Sequence, residues 1–575
     1  MALNLVRNSK VFFTTNVDAT TGIIKQDTAF TATNTTEIQV LDGFTFSQNT
    51  NQDTVTISEA GTAPVRGQRS FNTSLAPVDF SFSNYLRPYK SGSTITAEES
   101  VLWNALLSDQ AVSTGTVAGA AGSATYSYAN GISTLTFTGL SLASAFTVGD
   151  VIVIGGLVCS IAGESAFFNS AATVTAVSTT VGMTVELVNA SAATKTSTFT
   201  ISATTTKFYK SAWAPVDSAY SLVTAGGSNK NQLQKFGMLF LVDQVLYAVD
   251  NCALNQVSID FGLDAIATAA WTGQATQIRK LAEGSTAVTG TFAGNTITVG
   301  AGTVSAVAGS GSAYTATYTL TAAAALPALA VGQVVTAAGT GQLGTAAKIT
   351  AITITTGNVV SFTVSSTTTG TAGASTGVTA YTWLGGVYTQ KVTAAAYITN
   401  KLSTVTLTTL NALLNAAGTS ISASGTAYAV ALTGGSITIN NNISYITPAN
   451  LGVVNVPVTY YTGTRAITGT LNAYLKTGVG AQSTGQLLSD LLDSSTVTTE
   501  PMFALALNIG GSSSTANRVI LDLPSVTLTL PTVDVQQVVS TSINFTAQGS
   551  TPTSTTAAVY DLAETNDITV RYYGV

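Results

Sequence analysis

The chain has 575 residues, 45% of them hydrophobic and only 8% charged, with a formal net charge of −6 and no histidine. That length holds roughly two to five domains with ample core material, and the apolar share excludes charge-driven disorder. The acidic balance removes the phosphate-neutralising grip of a nucleic-acid binder. Without histidine, Ser–His–Asp and Cys–His catalysis and histidine-based metal sites are excluded.

The opening "MALNLVRNSKVFFTT" has no apolar h-region, so no secretory leader is expected. From Ser83 to Gln110 the sequence "SNYLRPYKSGSTITAEESVLWNALLSDQ" reads as a strand, a Gly-containing loop and a short helix. The spacing Thr96-x-x-Glu99 predicts a capping box, and Val101, Leu102, Leu106 and Leu107 give one apolar helix face. Glu98 and Glu99 are placed in the first turn, where the helix dipole favours negative charge. Arg66, Arg69, Arg87 and Lys90 gather near Phe71, Tyr85 and Tyr89, as a single-strand nucleic-acid surface would. In an acidic chain, ion pairs between subunits fit these four cations better.

Residues 113–205 form a Ser/Thr/Gly/Ala-rich β-run containing "FTVGDVIVIGG" and "ATVTAVSTTVGMTVELV". A related run over 285–385 contains "LAVGQVVTAAG" and "AKITAITITTGNVVSFTV". Both read as small accessory β-sandwiches. Between them, "TAGGSNKNQ" is a polar loop rather than a phosphate cradle, since no Gly-Lys dipeptide exists. The apolar stretch Phe236 to Val249 is interrupted by Asp243 and Gln244 and is too short to span a bilayer. Cys159 and Cys252 fall in different units, form no CxxC and are expected to be buried free thiols.

An internal repeat frames these runs. "VSIDFGLDAIATAAWTGQ" (Val257 to Gln274) aligns without a gap on "PTVDVQQVVSTSINFTAQ" (Pro531 to Gln548), matching Asp260 to Asp534 and Trp271 to Phe545. The helix unit recurs in "TLNAYLKTGVGAQSTGQLLSDLLDSS" (Thr470 to Ser495), with the box Ser483-x-x-Gln486 and apolar Leu487, Leu488, Leu491 and Leu492. The expected organisation is therefore a first core fold over 1–112 and 206–284, interrupted by an accessory domain at 113–205. A second accessory domain at 285–385 leads to a second core fold at 386–575. The fold class is mainly β, with a short flanking helix in each core.

No catalytic, cofactor or metal constellation emerges, so an enzyme is not expected. Asp260, Asp264 and Asp534 fall on or beside strands whose alternate residues are apolar, which puts them on a solvated face.

The segments "TTEIQVLDGFTFSQNTNQDTVTISEAGTAPVRGQRSFNTSLAPVDFSFSNYLRPY", "YYTGTRAITGTLNAYL", "MFALALNIGG" and "VVSTSINFTAQG…ITVRYYGV" resemble tailed-bacteriophage tail tube proteins. The resemblance covers both core copies and leaves the accessory runs outside. It implies a β-sandwich or barrel with a flanking helix, stacked rings of such folds, and double-stranded DNA passing the lumen without specific binding. It also implies a virion protein made in the host cytoplasm, with tape-measure and other tail proteins as partners. Two folds per chain imply a trimeric, pseudo-hexameric ring, with Asp260, Asp264 and Asp534 as lumen-lining candidates and Ig-like accessory domains on the outside. Neither a cofactor nor a membrane span is implied. The competing class is an extracellular adhesin or surface-layer chain of Ig-like modules, which low charge and Ser/Thr richness also suit.

Overall fold

The computed structural model describes residues 9–574, except the following segments in the first half: 26–32, 42, 56–68, 92–93, 108–113, 119–122, 130–131, 140, 143–145, 147, 162–163, 179–181, 188–194, 202–205, 211–213, 216–219, 225–232, 243–244, 264 and 284–295. In the second half it omits 306, 311–312, 325–328, 330–333, 346, 382–396, 452, 477–482, 498–500, 512–515, 536–537 and 550–566.

Strands dominate, and among the described residues two helices exceed a single turn, Ser100–Leu107 and Thr484–Ser494. Period-2 patterning explains the strand content. In Val539–Gln548, Thr541, Ile543 and Phe545 are buried while Asn544, Thr546 and Gln548 are exposed, as alternation across a one-sided sheet requires. Val245–Gly262 combines two patterns. Its first half is buried on both faces, and its second half alternates, with Val257, Ile259 and Phe261 inside and Asp260 outside. That strand therefore passes from the middle of the core to a sheet with one wet face.

A 19-stranded sheet carries the core. In the N-terminal region Lys10–Thr14 pairs with Thr35–Ile38 on one side and Phe236–Val242 on the other. Phe236–Val242 pairs with the first half of Val245–Gly262, which also takes Gln277–Glu283. The second half of that strand takes Thr268–Ala275, followed by Arg69–Tyr85 and then Thr45–Val55.

In the C-terminal region Thr404–Thr409 lies between Ala427–Val430 and Met502–Ile509. Met502–Ile509 pairs with Arg518–Leu528, whose start takes Thr569–Tyr573 and whose end takes Val539–Gln548. Val539–Gln548 pairs in turn with Thr532–Val535 and Ala466–Tyr474, and Ala466–Tyr474 with Leu432–Asn440.

The two regions meet strand to strand. Val245–Gly262 pairs antiparallel with Leu432–Asn440, from Gln256 opposite Asn440 to Gly262 opposite Gly434. Tyr220–Thr224 pairs with Thr569–Tyr573. One hydrophobic cluster runs through both regions, from Val11 to Tyr572. The first helix seals the joint: Trp103 packs edge-on to Trp271 with centroids 5.1 Å apart, and its Nε1 donates to the Tyr572 hydroxyl at 2.5 Å. Asn441 Nδ2 donates to the carbonyls of Leu106 (2.9 Å) and Leu254 (3.3 Å).

The second helix starts as its sequence predicts, with the Ser483 hydroxyl accepting from the Gln486 amide at 3.3 Å. Gln486 does not complete the box; its Nε2 donates to Asp490 Oδ1 at 2.7 Å, and Tyr428 donates to Asp490 Oδ2 at 2.5 Å. Leu487 and Leu491 are buried, whereas Leu492 is exposed.

The first helix departs from its expected start. Thr96 is committed to the hairpin Tyr89–Ser91/Thr94–Thr96, opposite Tyr89. Glu98 forms a buried ion pair with Arg87 at 2.9 Å instead of facing solvent at a helix end. Arg87 is thereby satisfied within its own chain. Glu99 is fully buried beside Tyr572; burial, more than the nearby Glu98 charge, raises its carboxyl to about 7.

The accessory runs fold as separate sheets with their own cores. The first is eight-stranded and includes Lys207–Lys210, which lies past the boundary expected at 205. In the second, Gly302–Val304, Ala313–Ala324, Asn358–Ser366, Ala347–Thr355, Val334–Gly339 and Gly373–Tyr381 pair in a closed circuit, a six-stranded barrel where the sequence suggests a sandwich. Closure removes the open edges that a sandwich would keep. Both cysteines are free; Cys252 is buried as expected, but Cys159 is only half-buried.

Candidate functional site: the polar face of the joined sheet

Eight strands form a continuous antiparallel surface across both regions. Their order is Thr45–Val55, Arg69–Tyr85, Thr268–Ala275, Val245–Gly262, Leu432–Asn440, Ala466–Tyr474, Val539–Gln548 and Thr532–Val535. At ~4.8 Å per strand the surface is about 38 Å wide. Its inner side is core: Phe80, Phe82, Trp271, Val257, Ile259, Ile439, Ile467, Leu471 and Ile543 are all buried.

The opposite side is a ladder of short polar groups. One row runs Ser83, Ala270, Ser258, Thr438, Thr468, Thr546. The next runs Tyr85, Thr268, Asp260, Ser436, Thr470, Asn544. Many of these groups bond to each other across strands. Thr470 Oγ1 donates to Asn544 Oδ1 at 2.8 Å, Thr45 and Ser81 hydroxyls meet at 2.8 Å, and Ser258 and Thr438 hydroxyls at 3.3 Å. Cross-strand pairs of this kind stabilise a sheet by about 0.2–1 kcal/mol each. They also occupy donors and acceptors that would otherwise be offered to a passing molecule.

Charge is scarce. The paired segments 45–48, 78–85, 256–262, 268–275, 432–440, 466–474, 532–535 and 540–548 contain no Lys or Arg, and three carboxylates: Asp79, Asp260 and Asp534; the far ends of the first two strands add Asp53 and Arg69. All three are exposed. Asp260 and Asp534, selected from the sequence, thus share this face although they lie in different regions. Asp264 lies outside the described residues. Asp79 was missed; it alternates with Val78 and Phe80, both buried, and that pattern was a legible signal. Gln274 Nε2 donates to it at 3.1 Å.

Beside Asp79 a shallow recess of about 220 Å³ is lined by Thr45, Ser47, Ser81, Asn255, Thr272 and Gln274. It gathers no nucleophile–base pair. Among the described residues no group of three His, Cys, Asp or Glu side chains could hold a metal. No helix of the described residues is long and apolar enough to cross a membrane. The face is suited to contact without capture: wide, hydroxylated, weakly acidic and, short of Arg69 at one far end, without cations.

Comparison with known proteins gives one relative consistent with such a surface. The tail tube protein pb6 of Escherichia phage T5 is 37% identical over 127 residues, which make up 22% of this chain and 25% of that protein. The match therefore spans about a quarter of that relative's length. No family model matches the chain.

Proposed function

We propose that the chain is a tube-forming subunit of a phage tail, built from two tube folds and two accessory domains. The polar face described above lines the conduit through which the genome leaves. The observation that carries the reading is the eight-strand surface itself: continuous across two regions, with three carboxylates and no Lys or Arg apart from Asp53 and Arg69 at the far ends of its first two strands. DNA carries about one charge per 1.7 Å of helix axis, and a basic wall would hold it. Sparse carboxylates repel it over the ~8 Å that salt permits.

The duplication is supported by pairing order. Each region has a first strand flanked by two others, and a long strand, preceded by a helix, that changes partners midway. Within the eight strands the sequence of roles in the first four repeats in the second four, so the folds sit head to tail. Three chains would give roughly 24 strands; at ~4.8 Å spacing and ~40° tilt they close to a barrel about 48 Å across, backbone to backbone. Six chains would double that bore. The accessory sheets hang outside the ring, where they leave the conduit open and hinder a close-fitting sheath, which favours a non-contractile tail.

Mass measurement of a released ring tests this, alongside electron microscopy of the purified protein. Three chains per annulus is the expected result; six chains, or no annuli at all, overturns it. Changing Asp260 and Asp534 to lysine should slow genome ejection and leave tubes intact.

A further inference from the structure

The recess of about 220 Å³ beside Asp79 interrupts the even ladder of the polar face. Two rows frame it. Ser47, Asp79 and Gln274 lie abreast on three strands, and Thr45, Ser81 and Thr272 lie abreast beside them. The long strand bulges at its side, where Asn255 is the extra residue between Leu254 and Gln256. Asn255 is pinned there by its Oδ1, which accepts from the Ile443 amide at 2.8 Å. Gln274 Nε2 donates to Asp79 Oδ1 at 3.1 Å, which leaves Oδ2 to accept from elsewhere.

The lining selects among ligands. A carboxylate repels anions. A dehydrated divalent cation requires several charged oxygens, and Asp79 is the one carboxylate among the described residues that line the recess. A guanidinium favours a bidentate carboxylate edge, but Gln274 already takes one oxygen. An ammonium is a compact cation with three divergent donors. The Asp79 carboxylate and the Ser47 and Thr272 hydroxyls, carried on three different strands, supply acceptors for them.

The second region does not repeat this chemistry. Its corresponding rows are Thr438, Thr468, Thr546 and Ser436, Thr470, Asn544, so the Thr468 hydroxyl stands where Asp79 puts a charge. The acidic recess therefore belongs to one fold of the two.

Resting on the conduit reading above, we propose that this recess is a primary-ammonium site, which takes a polyamine travelling with the DNA or a lysine side chain of a protein inside the conduit. It recurs once per chain, at every second fold around a ring. The contact is exposed and screened by salt, so it holds its cation briefly and does not arrest the genome.

Ligand-observed saturation-transfer NMR at low salt, on single chains and on assembled tubes, tests the site with spermidine, Nα-acetyl-lysine amide and Nα-acetyl-arginine amide. Spermidine should bind saturably. Asp79→Asn should weaken it by about tenfold, as loss of a charged hydrogen bond does, with the melting transition unchanged. Asp260→Asn removes an equal charge from the same face and should weaken it less than about twofold. The arginine probe should bind about fivefold more weakly than the lysine probe. Lysine and spermidine binding alike assigns the site to a lysine side chain, and spermidine binding alone assigns it to a polyamine. Unchanged binding in Asp79→Asn, or equal loss in both variants, overturns the site in favour of diffuse attraction to the face. An arginine probe bound as tightly as lysine overturns the ammonium assignment. Asp79-dependent binding by single chains that disappears in tubes keeps the site and overturns the conduit reading instead.

Discussion

The hairpins Val245–Gly262/Thr268–Ala275 and Thr532–Val535/Val539–Gln548 match in sequence without a gap, yet they do not pair alike. Asp260 lies opposite Thr268, whereas Asp534 lies opposite Ser540. Five residues, 263–267, separate the first pair of strands and three, 536–538, the second. The shorter connection advances the second strand by two. Because side chains alternate with period 2, an even shift keeps every residue on its face. The alignment therefore matches Trp271 to Phe545, but in the sheet Trp271 lies opposite Phe82 as Ile543 lies opposite Leu471.

The shift has a packing consequence. In the first hairpin the Phe80 ring covers Gly273, its cross-strand partner, and a Cβ there would sit 2.3 Å from Phe80 Cζ. In the second the roles exchange strands: Phe545 covers Gly469, again at 2.3 Å from a would-be Cβ. A ring over a glycine fills one volume in both places, as aromatic rescue does in designed sheets. The lesson is that volume and face survive where register does not.

The largest effect should come from parity. Inserting one residue into 536–538 would turn Val539–Gln548 inside out, and soluble assembled protein should be lost. Inserting two should restore the first hairpin's connection length and leave tubes intact; size-exclusion chromatography with electron microscopy reads both.

Next come the covering rings. Phe80→Ala and Phe545→Ala should each cost about 3–5 kcal/mol, read as a lowered melting transition of the core. The exchange Gly469→Phe with Phe545→Gly copies the first hairpin's arrangement and should recover most of what Phe545→Gly alone loses. No recovery would mean that the two sites are not interchangeable.

The two helix starts differ by an ionisable group. Glu99 aligns with Gln486 but is buried, with its carboxyl raised to about 7 from an ordinary 4.5. The folded chain holds that proton where the unfolded chain has lost it, so this stability is present below about pH 4.5 and is lost as pH rises through 7. Glu99→Gln should flatten the core's stability between pH 5 and 7 and raise it at pH 8 by about 3 kcal/mol. Arg87, Glu98 and Tyr572 stay as they are. Glu186, also raised to about 7 by burial, belongs to the separate first accessory sheet and should keep that sheet's own pH slope.

The smallest effect is the cap. Ser483→Ala should cost about 1 kcal/mol, measured by thermal melting, since it removes the acceptor for the Gln486 amide.

Much of the fold was legible in local pattern. The alternation in Val539–Gln548 and in Val257, Ile259 and Phe261 fixed which side of each strand is wet, and that placed Asp260 and Asp534 on a solvated face. Ser483 announced its helix because a cap is a contact over three residues. Thr96-x-x-Glu99 carried the same local signal, but a hairpin claimed Thr96 and the core claimed Glu99. Asp79 lies outside the repeated segments, on the neighbouring strand Arg69–Tyr85, where the alternation Val78, Asp79, Phe80 marks it as outward-facing by the same local pattern.

The sequence by itself determined the strand-rich class, the faces and the absence of histidine chemistry, because composition and period-2 alternation act residue by residue. Only the tertiary structure decided register, the closure of the second accessory run into a barrel, and the joining of two distant regions into one sheet. Those depend on backbone hydrogen bonds between strands, which are nearly indifferent to side chain. Gln256 meets Asn440, and Asp260 meets Ser436, because turn lengths and a shared core bring the strands together.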